Sequence, residues 1–161
     1  MDEITIREST AGDLRQAAEL IVRMKRLNGE FDPLLKVVDD ASDRAMKYLS
    51  NSLAQESHIV LVAVSGQKVA GVIRAEIRER LFYEPAKEGV ITDFYILPEG
   101  RRKALGNRFL AEASKRLRQM GAEMIVAEFP AQNEIAVRFY SKSGFRALLN
   151  TFAKEDSAGG Q

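Results

Sequence analysis

The sequence predicts a single α/β domain: one mixed sheet with helices packed against it. Three observations carry that reading. Short apolar runs of strand length are interleaved with longer stretches whose apolar residues recur at helical spacing. Two of the runs, His58 to Val64 and Val69 to Ile77, are joined by Ser65-Gly66-Gln67-Lys68, a hairpin signal that makes part of the sheet antiparallel. The stretch from Ile91 to Met120 reads strand, loop, helix, the crossover unit that often receives a phosphate ligand. With 161 residues, 45% of them hydrophobic, the chain has the size of one domain and the material for its core.

Ile4-Thr5-Ile6-Arg7 alternates like a half-buried strand, and Thr10 stands as a helix cap ahead of Asp13. Leu14, Ala17, Ala18, Ile21, Met24 and Leu27 mark a first helix that fades near Asn28-Gly29. Glu30 to Asp40 reads as irregular, with a turn at Asp32-Pro33, and a second helix is expected from Ala41 to Gln55. After the hairpin, Glu84 to Gly89 reads as a loop and Val90 to Leu97 as a strand. Leu105, Phe109, Leu110, Ala113 and Leu117 form one face of a long helix, Ala104 to Met120, closed by Gly121. Met124 to Phe129 reads as a strand, Asn133 to Ser143 as a helix and Phe145 to Phe152 as a final strand. The expected domain is 1–152, followed by a polar tail, 153–161.

Composition removes several chemistries. There is no Cys, so disulfides, thiolate metal sites and a cysteinyl acyl-enzyme are excluded. The one His, His58, opens an apolar run and reads as structural; a multi-His metal site is excluded. A net charge of +1 provides no overall field for nucleic acid or a membrane. The N-terminal residues lack a basic segment followed by an apolar one, and no apolar run is long enough to span a bilayer, so the expectation is a cytoplasmic protein.

Leu97-Pro98-Glu99-Gly100-Arg101-Arg102-Lys103-Ala104-Leu105-Gly106 joins the end of a strand to the start of a helix. Backbone N–H groups at a helix start have no internal partner, and the helix dipole adds positive character, so an anion can sit there. Three cations reinforce it, and small Ala104 and Gly106 allow close approach. It is neither a P-loop nor a dinucleotide fingerprint; taken alone, an anion site and a solvated basic turn are equally supported.

A second block, Asn133-Glu134-Ile135-Ala136-Val137-Arg138-Phe139-Tyr140-Ser141-Lys142-Ser143-Gly144-Phe145, changes the balance. Together the two blocks resemble the GNAT superfamily of N-acetyltransferases. The first resembles Arg/Gln-x-x-Gly-x-Gly/Ala, read here as Arg101-x-x-Ala104-x-Gly106; the second matches Asn-x-x-Ala-x-x-Phe-Tyr-x-Lys-x-Gly-Phe at every specified position. The departures are Arg102 after the motif's first Arg, where Gly is usual, and Ala104 at the middle glycine.

The resemblance implies a mostly antiparallel sheet flanked by about four helices, with a splayed cleft between the fourth and fifth strands that takes acetyl-CoA and no metal. It implies that the pantetheine arm runs beside Phe94, Tyr95 and Ile96. The pyrophosphate then meets Arg101, Arg102, Lys103, Ala104, Leu105 and Gly106, with Asn107 just inside the helix. It assigns Asn133 to cofactor contact and Tyr140 to protonation of the departing thiolate; Phe139 is core or cofactor packing. An alkylamine acceptor must lose a proton, and Asp93 and Glu128 are the candidate bases, with Glu128 favoured because it interrupts an apolar run. The acids and aromatics of Asn28 to Asp32 and Phe82 to Glu84 would flank a cationic acceptor. The expected partner is a small-molecule or peptide amine, the expected assembly a homodimer, and the rival reading is a non-catalytic acyl-CoA sensor on the same fold.

Overall fold

The computed structural model describes residues 3–156. Its strands are β1 (Ile4–Glu8), β2 (His58–Ser65), β3 (Lys68–Glu79), β4 (Lys87–Ile96) and β5 (Met124–Ala127); its helices are α1 (Leu14–Phe31), α2 (Ala41–Leu53), α3 (Leu105–Gln119) and α4 (Glu134–Lys142). The five strands lie in sequence order, antiparallel from β1 to β4, with β5 parallel to β4. That reversal follows from α3, which carries the chain back across one face before β5 begins.

The period of two in the strands divides the core. Val60, Val62 and Val64 of β2 and Val69 and Val72 of β3 pack against Leu14, Ala18, Ile21 and Leu49 of α1 and α2. Ile59, Leu61 and Ala63 point to the other face, with Ile73, Ile91 and Ile96, against Leu105, Phe109, Ala113 and Leu117 of α3. Because β2 and β3 are covered on both faces, they read as continuous apolar runs.

Between β1 and α1, Asp13 closes a short 3-10 turn and is buried. Its carboxylate accepts from Arg7 Nη1 at 2.6 Å and Nη2 at 3.0 Å, and from the Thr10 N–H at 2.8 Å. The Arg7 hydrogen bonds, with smaller help from Thr10, hold its pKa down at about 2. A depressed folded-state pKa means the stabilisation is complete above the unfolded value near 4 and is lost as pH falls towards 2. Asp13→Asn should therefore lower the melting temperature at pH 7 and leave it nearly unchanged at pH 2; an equal loss at both values would contradict this assignment.

Four expectations need correction. β4 begins at Lys87, inside the stretch read as a loop, because Lys87, Glu88 and Gly89 pair with Glu79, Arg78 and Ile77 of β3. The first helix does not fade at Asn28-Gly29 but runs through both to Phe31. Gly29 is a point of close approach: a Cβ there would lie 3.1 Å from the Leu35 carbonyl oxygen, because the chain doubles back through a 3-10 turn, Pro33–Leu35. β5 stops at Ala127, short of Phe129. Phe145 to Phe152 forms no strand; the segment has no ladder partner, and Arg146 to Asp156 are all exposed.

Candidate functional site

β5 pairs with only the first half of β4, from Glu88↔Met124 to Ile91↔Ala127. The last bond between them is Glu128 N–H to the Ile91 carbonyl, 3.0 Å. Beyond it the two parallel strands part, and Thr92 to Ile96 continue without a β5 partner. The β3–β4 register shifts between Arg74 and Ala75, opposite Thr92, and this bulge resets which residues face outward. The Leu97 N–H donates to the Ala70 carbonyl on β3, 2.8 Å, so by alternation Tyr95 also turns its backbone to β3 and Phe94 and Ile96 turn theirs to the open edge. Arg101 Nε donates to the Ile96 carbonyl at 2.9 Å, and its guanidinium lies 5.6 Å from the Tyr95 ring. Of the three strand residues expected beside a cofactor, Phe94 and Ile96 present backbone to the cleft and Tyr95 does not.

At the end of this edge, Pro98–Lys103 form a 3-10 turn and α3 starts at Leu105 with no side-chain cap. Its first N–H groups point out of the helix towards the loop. Leu105 is wholly buried, so only its backbone can serve a ligand, while Asn107 is exposed. The side chains of Arg102 and Lys103 lie outside the described residues. A Cβ on Gly106 would sit 3.2 Å from Phe139 Cε1, so a glycine there lets α3 lie close against α4.

Ala104 stands where the motif has glycine, and its φ of 54° and ψ of 26° are left-handed. This conformation costs a Cβ-bearing residue about 1 kcal/mol. Ala104→Gly should therefore raise the melting temperature by about 2–4 °C and leave acetyl-CoA affinity intact, read by thermal denaturation and calorimetry. A loss of stability would contradict the strain assignment.

Aromatic rings fill the wall of the opening. Tyr140 stacks on Phe129 with centroids 5.3 Å apart and meets Phe139 and Phe145 edge-on at 5.1 and 5.2 Å. Phe94 meets Phe109 and Phe139 edge-on, both at 5.6 Å. Burial pushes the Tyr140 hydroxyl well above its ordinary value near 10. It forms no hydrogen bond with the described residues. Asn133 uses its side-chain oxygen to cap α4, accepting from the Ala136 N–H at 3.0 Å. Its amide nitrogen takes no part in the cap.

The two candidate bases differ sharply. Asp93 has no exposed side-chain surface. One carboxylate oxygen lies 2.8 Å from Lys25 Nζ, at an angle outside hydrogen-bond geometry; the other accepts from Tyr48 and from Thr92 Oγ1 at 2.9 Å. Glu128 is more than half exposed at the mouth of the opening and pairs with Arg78 at 3.1 Å.

Around Asp93 runs a polar network that reading the sequence missed. Arg74 is buried, donates to Ser52 Oγ at 3.0 Å and Thr92 Oγ1 at 3.2 Å, pairs with Glu76, and lies 4.6 Å from the Tyr48 ring. Burial, and then the Asp93 charge, raises the Tyr48 pKa well above 10. The signal was present: Arg74 interrupts an apolar strand just as Glu128 does. His58 lies 3.9 Å from Glu76, beyond hydrogen-bond reach, and Glu76 is already held by Arg74 and Arg78.

Asn28 to Asp32 lie at the end of α1, just beyond the turn whose Lys25 reaches Asp93. Phe82 to Glu84 instead precede β4, at the opposite end of that strand from Ile96, because the β3–β4 connection turns at the far end of the two strands. No helix among the described residues is long and apolar enough to cross a membrane.

The family model for the Acetyltransferase (GNAT) family matches residues 22–145. No curated protein matches the sequence. Among solved structures, a transcriptional regulator from Bacillus halodurans superposes with a TM-score of 0.77 at 20% identity, covering 96% of this chain and 100% of that one. An aminoglycoside antibiotic 6'-N-acetyltransferase from Acinetobacter haemolyticus superposes with a TM-score of 0.73 at 18% identity, covering 95% and 99%. A predicted acetyltransferase with acetyl-CoA from Clostridium acetobutylicum superposes with a TM-score of 0.74 at 14% identity, covering 95% and 96%.

Proposed function

Because this chain belongs to the GNAT acetyltransferase family, we propose that it moves an acetyl group from acetyl-CoA directly to a primary amine bound in the same complex. One observation carries the reading. The unpaired half of β4 leads straight into an uncapped helix N-terminus, with a buried tyrosine on the adjoining wall.

In this reading the pantetheine amides pair with the outward backbone of Phe94 and Ile96, as an added strand would. The pyrophosphate meets the N–H groups around Ala104 to Asn107. Arg101 fixes the end of the edge by holding the Ile96 carbonyl. The side-chain amide of Asn133 donates to the cofactor, and Phe139 packs beside it.

The amine nitrogen attacks the thioester carbonyl. A carbon–nitrogen bond forms, and the oxygen takes up charge facing the Phe94 N–H. The carbon–sulfur bond then breaks, and the thiolate takes the Tyr140 proton. Burial raises the tyrosine pKa, so the hydroxyl stays protonated until the thiolate forms beside it. Glu128, through water, takes the proton the ammonium loses before attack, and the second nitrogen proton, lost as the amide forms, returns to the Tyr140 oxygen. Asp93 holds the floor of the site through Lys25 and Tyr48 and does not exchange protons with the acceptor. The acceptor enters from the α1–α2 side, in the cytoplasm.

The absence of Cys makes the test clean, since every thiol detected is released CoA. Protein, acetyl-CoA and a panel of primary amines should give amine-dependent thiol release. Acetyl-CoA binding without thiol release for any amine would replace this reading with that of a sensor.

A further inference from the structure

Charge is divided across the mouth of the opening. On the α1 side stands Lys25, whose ammonium lies 2.8 Å from Asp93 Oδ1 at an angle that makes no hydrogen bond. Asp93 is wholly buried and its other oxygen is taken by Tyr48 and Thr92, so it holds the cation in place, while the Lys25 side chain is 45% exposed and donates to none of the described residues. On the β5 side stands Glu128. Its N–H bonds the Ile91 carbonyl, and Asp93 follows Ile91 by two residues, so the two positions flank the parting of the strands about 7 Å apart along β4. The neighbouring cations are spent. Arg78 gives Nε to Glu76 and Nη1 to Glu128, and Arg74 is buried among Ser52, Thr92 and Glu76. The cluster is balanced, Lys25, Arg74 and Arg78 against Asp93, Glu76 and Glu128. Burial, and then Arg74, holds the His58 pKa below its ordinary value, so His58 adds no charge at neutral pH. At the end of α1, Asp32 spends its carboxylate on the Leu34 N–H, and Glu30 shares a hollow with Arg26 and Lys36. An acceptor with several positive charges meets no surplus of acid among these groups.

We propose that the acceptor is a free α-amino acid, with Lys25 taking its carboxylate and its amine facing Glu128 and the thioester. The assignment rests on the acetyl-transfer reading and narrows it. Three unspent N–H groups on an ammonium fixed by a buried counter-charge form a receptor for a carboxylate, and charge-assisted hydrogen bonds are the strong ones. A zwitterion adds no net charge to a balanced cluster, whereas a polyamine or an amino sugar brings charges that nothing here matches. Acetylation turns the amine into a neutral amide, so the product keeps the Lys25 contact and loses the one to Glu128, which favours its release.

Thiol release from acetyl-CoA tests it, with the common free amino acids set against their carboxamides and against polyamines. The carboxamide keeps the amine and the side chain and loses only the negative charge. Its amine also gives up a proton more readily, so chemistry alone favours the carboxamide, and a preference for the acid reports recognition. For at least one amino acid, kcat/KM should exceed that of its carboxamide by about ten- to a hundredfold. Lys25→Met should bring this ratio close to one, mainly through KM for the acid, and Lys25→Arg should restore most of it. The ratio is taken within one protein, so a general loss of stability in Lys25→Met does not move it. Carboxamides or polyamines turned over as fast as the acids would overturn the amino-acid assignment and leave acetyl transfer standing. A preference for the acid that survives Lys25→Met would overturn it too. No thiol release from any amine would overturn the acetyl-transfer reading, and this assignment with it.

Discussion

Asp93→Ala is expected to destabilise the protein by about 3 kcal/mol, a fall of about 6–12 °C in melting temperature. The carboxylate has no exposed surface and is held by Lys25, Tyr48 and Thr92, so removing it takes the counter-charge from Lys25, costs Tyr48 and Thr92 an acceptor and empties a packed position. Lys25 is nearly half exposed and can find water, which sets the value at the low end of the range for a broken buried pair. Glu128→Gln should behave oppositely. Its pair with Arg78 is exposed, so stability should change by less than about 1 kcal/mol while turnover falls, most steeply at neutral pH where the amine is charged. If Asp93→Ala melted like the native chain and lost only turnover, the roles of the two acids would be reversed.

Tyr140→Phe should lower kcat by about 10²–10³ with little change in acetyl-CoA affinity. Its hydroxyl bonds to none of the described residues, so the ring packing against Phe129, Phe139 and Phe145 survives and the melting temperature should hold within about 2 °C. Because burial raises the hydroxyl above its ordinary range, the pH profile of kcat should show no falling limb from Tyr140 below about pH 10. Retained turnover in Tyr140→Phe would remove the tyrosine from the chemistry and pass protonation of the thiolate to water.

The parts of this fold legible in sequence were those set by local pattern. Helical spacing from Leu14 to Met24 and from Leu105 to Leu117 located two helices, and Ser65 to Lys68 located the hairpin. What failed depended on contacts distant in the chain. Gly29 looks like a helix stop until the Leu35 carbonyl is seen packed against it. Phe145 to Phe152 has the composition of a strand, yet pairing requires an edge, and no strand among the described residues receives it. Of the site, the motif blocks were legible because they are short and contiguous. The Lys25–Asp93–Tyr48–Arg74 network was not, since it joins α1, α2, β3 and β4, and each charge reads singly as an interruption of an apolar run. Ala104 reads in sequence as small enough for close approach; its left-handed backbone, which the sequence does not reveal, is where its Cβ costs stability.

The central claim is that acetyl-CoA lies in the opening between β4 and β5, and a crystal structure with acetyl-CoA bound tests it most directly. The account predicts pantetheine amides paired with the backbone of Phe94 and Ile96, pyrophosphate on the α3 N-terminus, and the Tyr140 hydroxyl within hydrogen-bond reach of the sulfur. A cofactor seated elsewhere, or a sulfur out of reach of Tyr140 with the pantetheine in place, would contradict it.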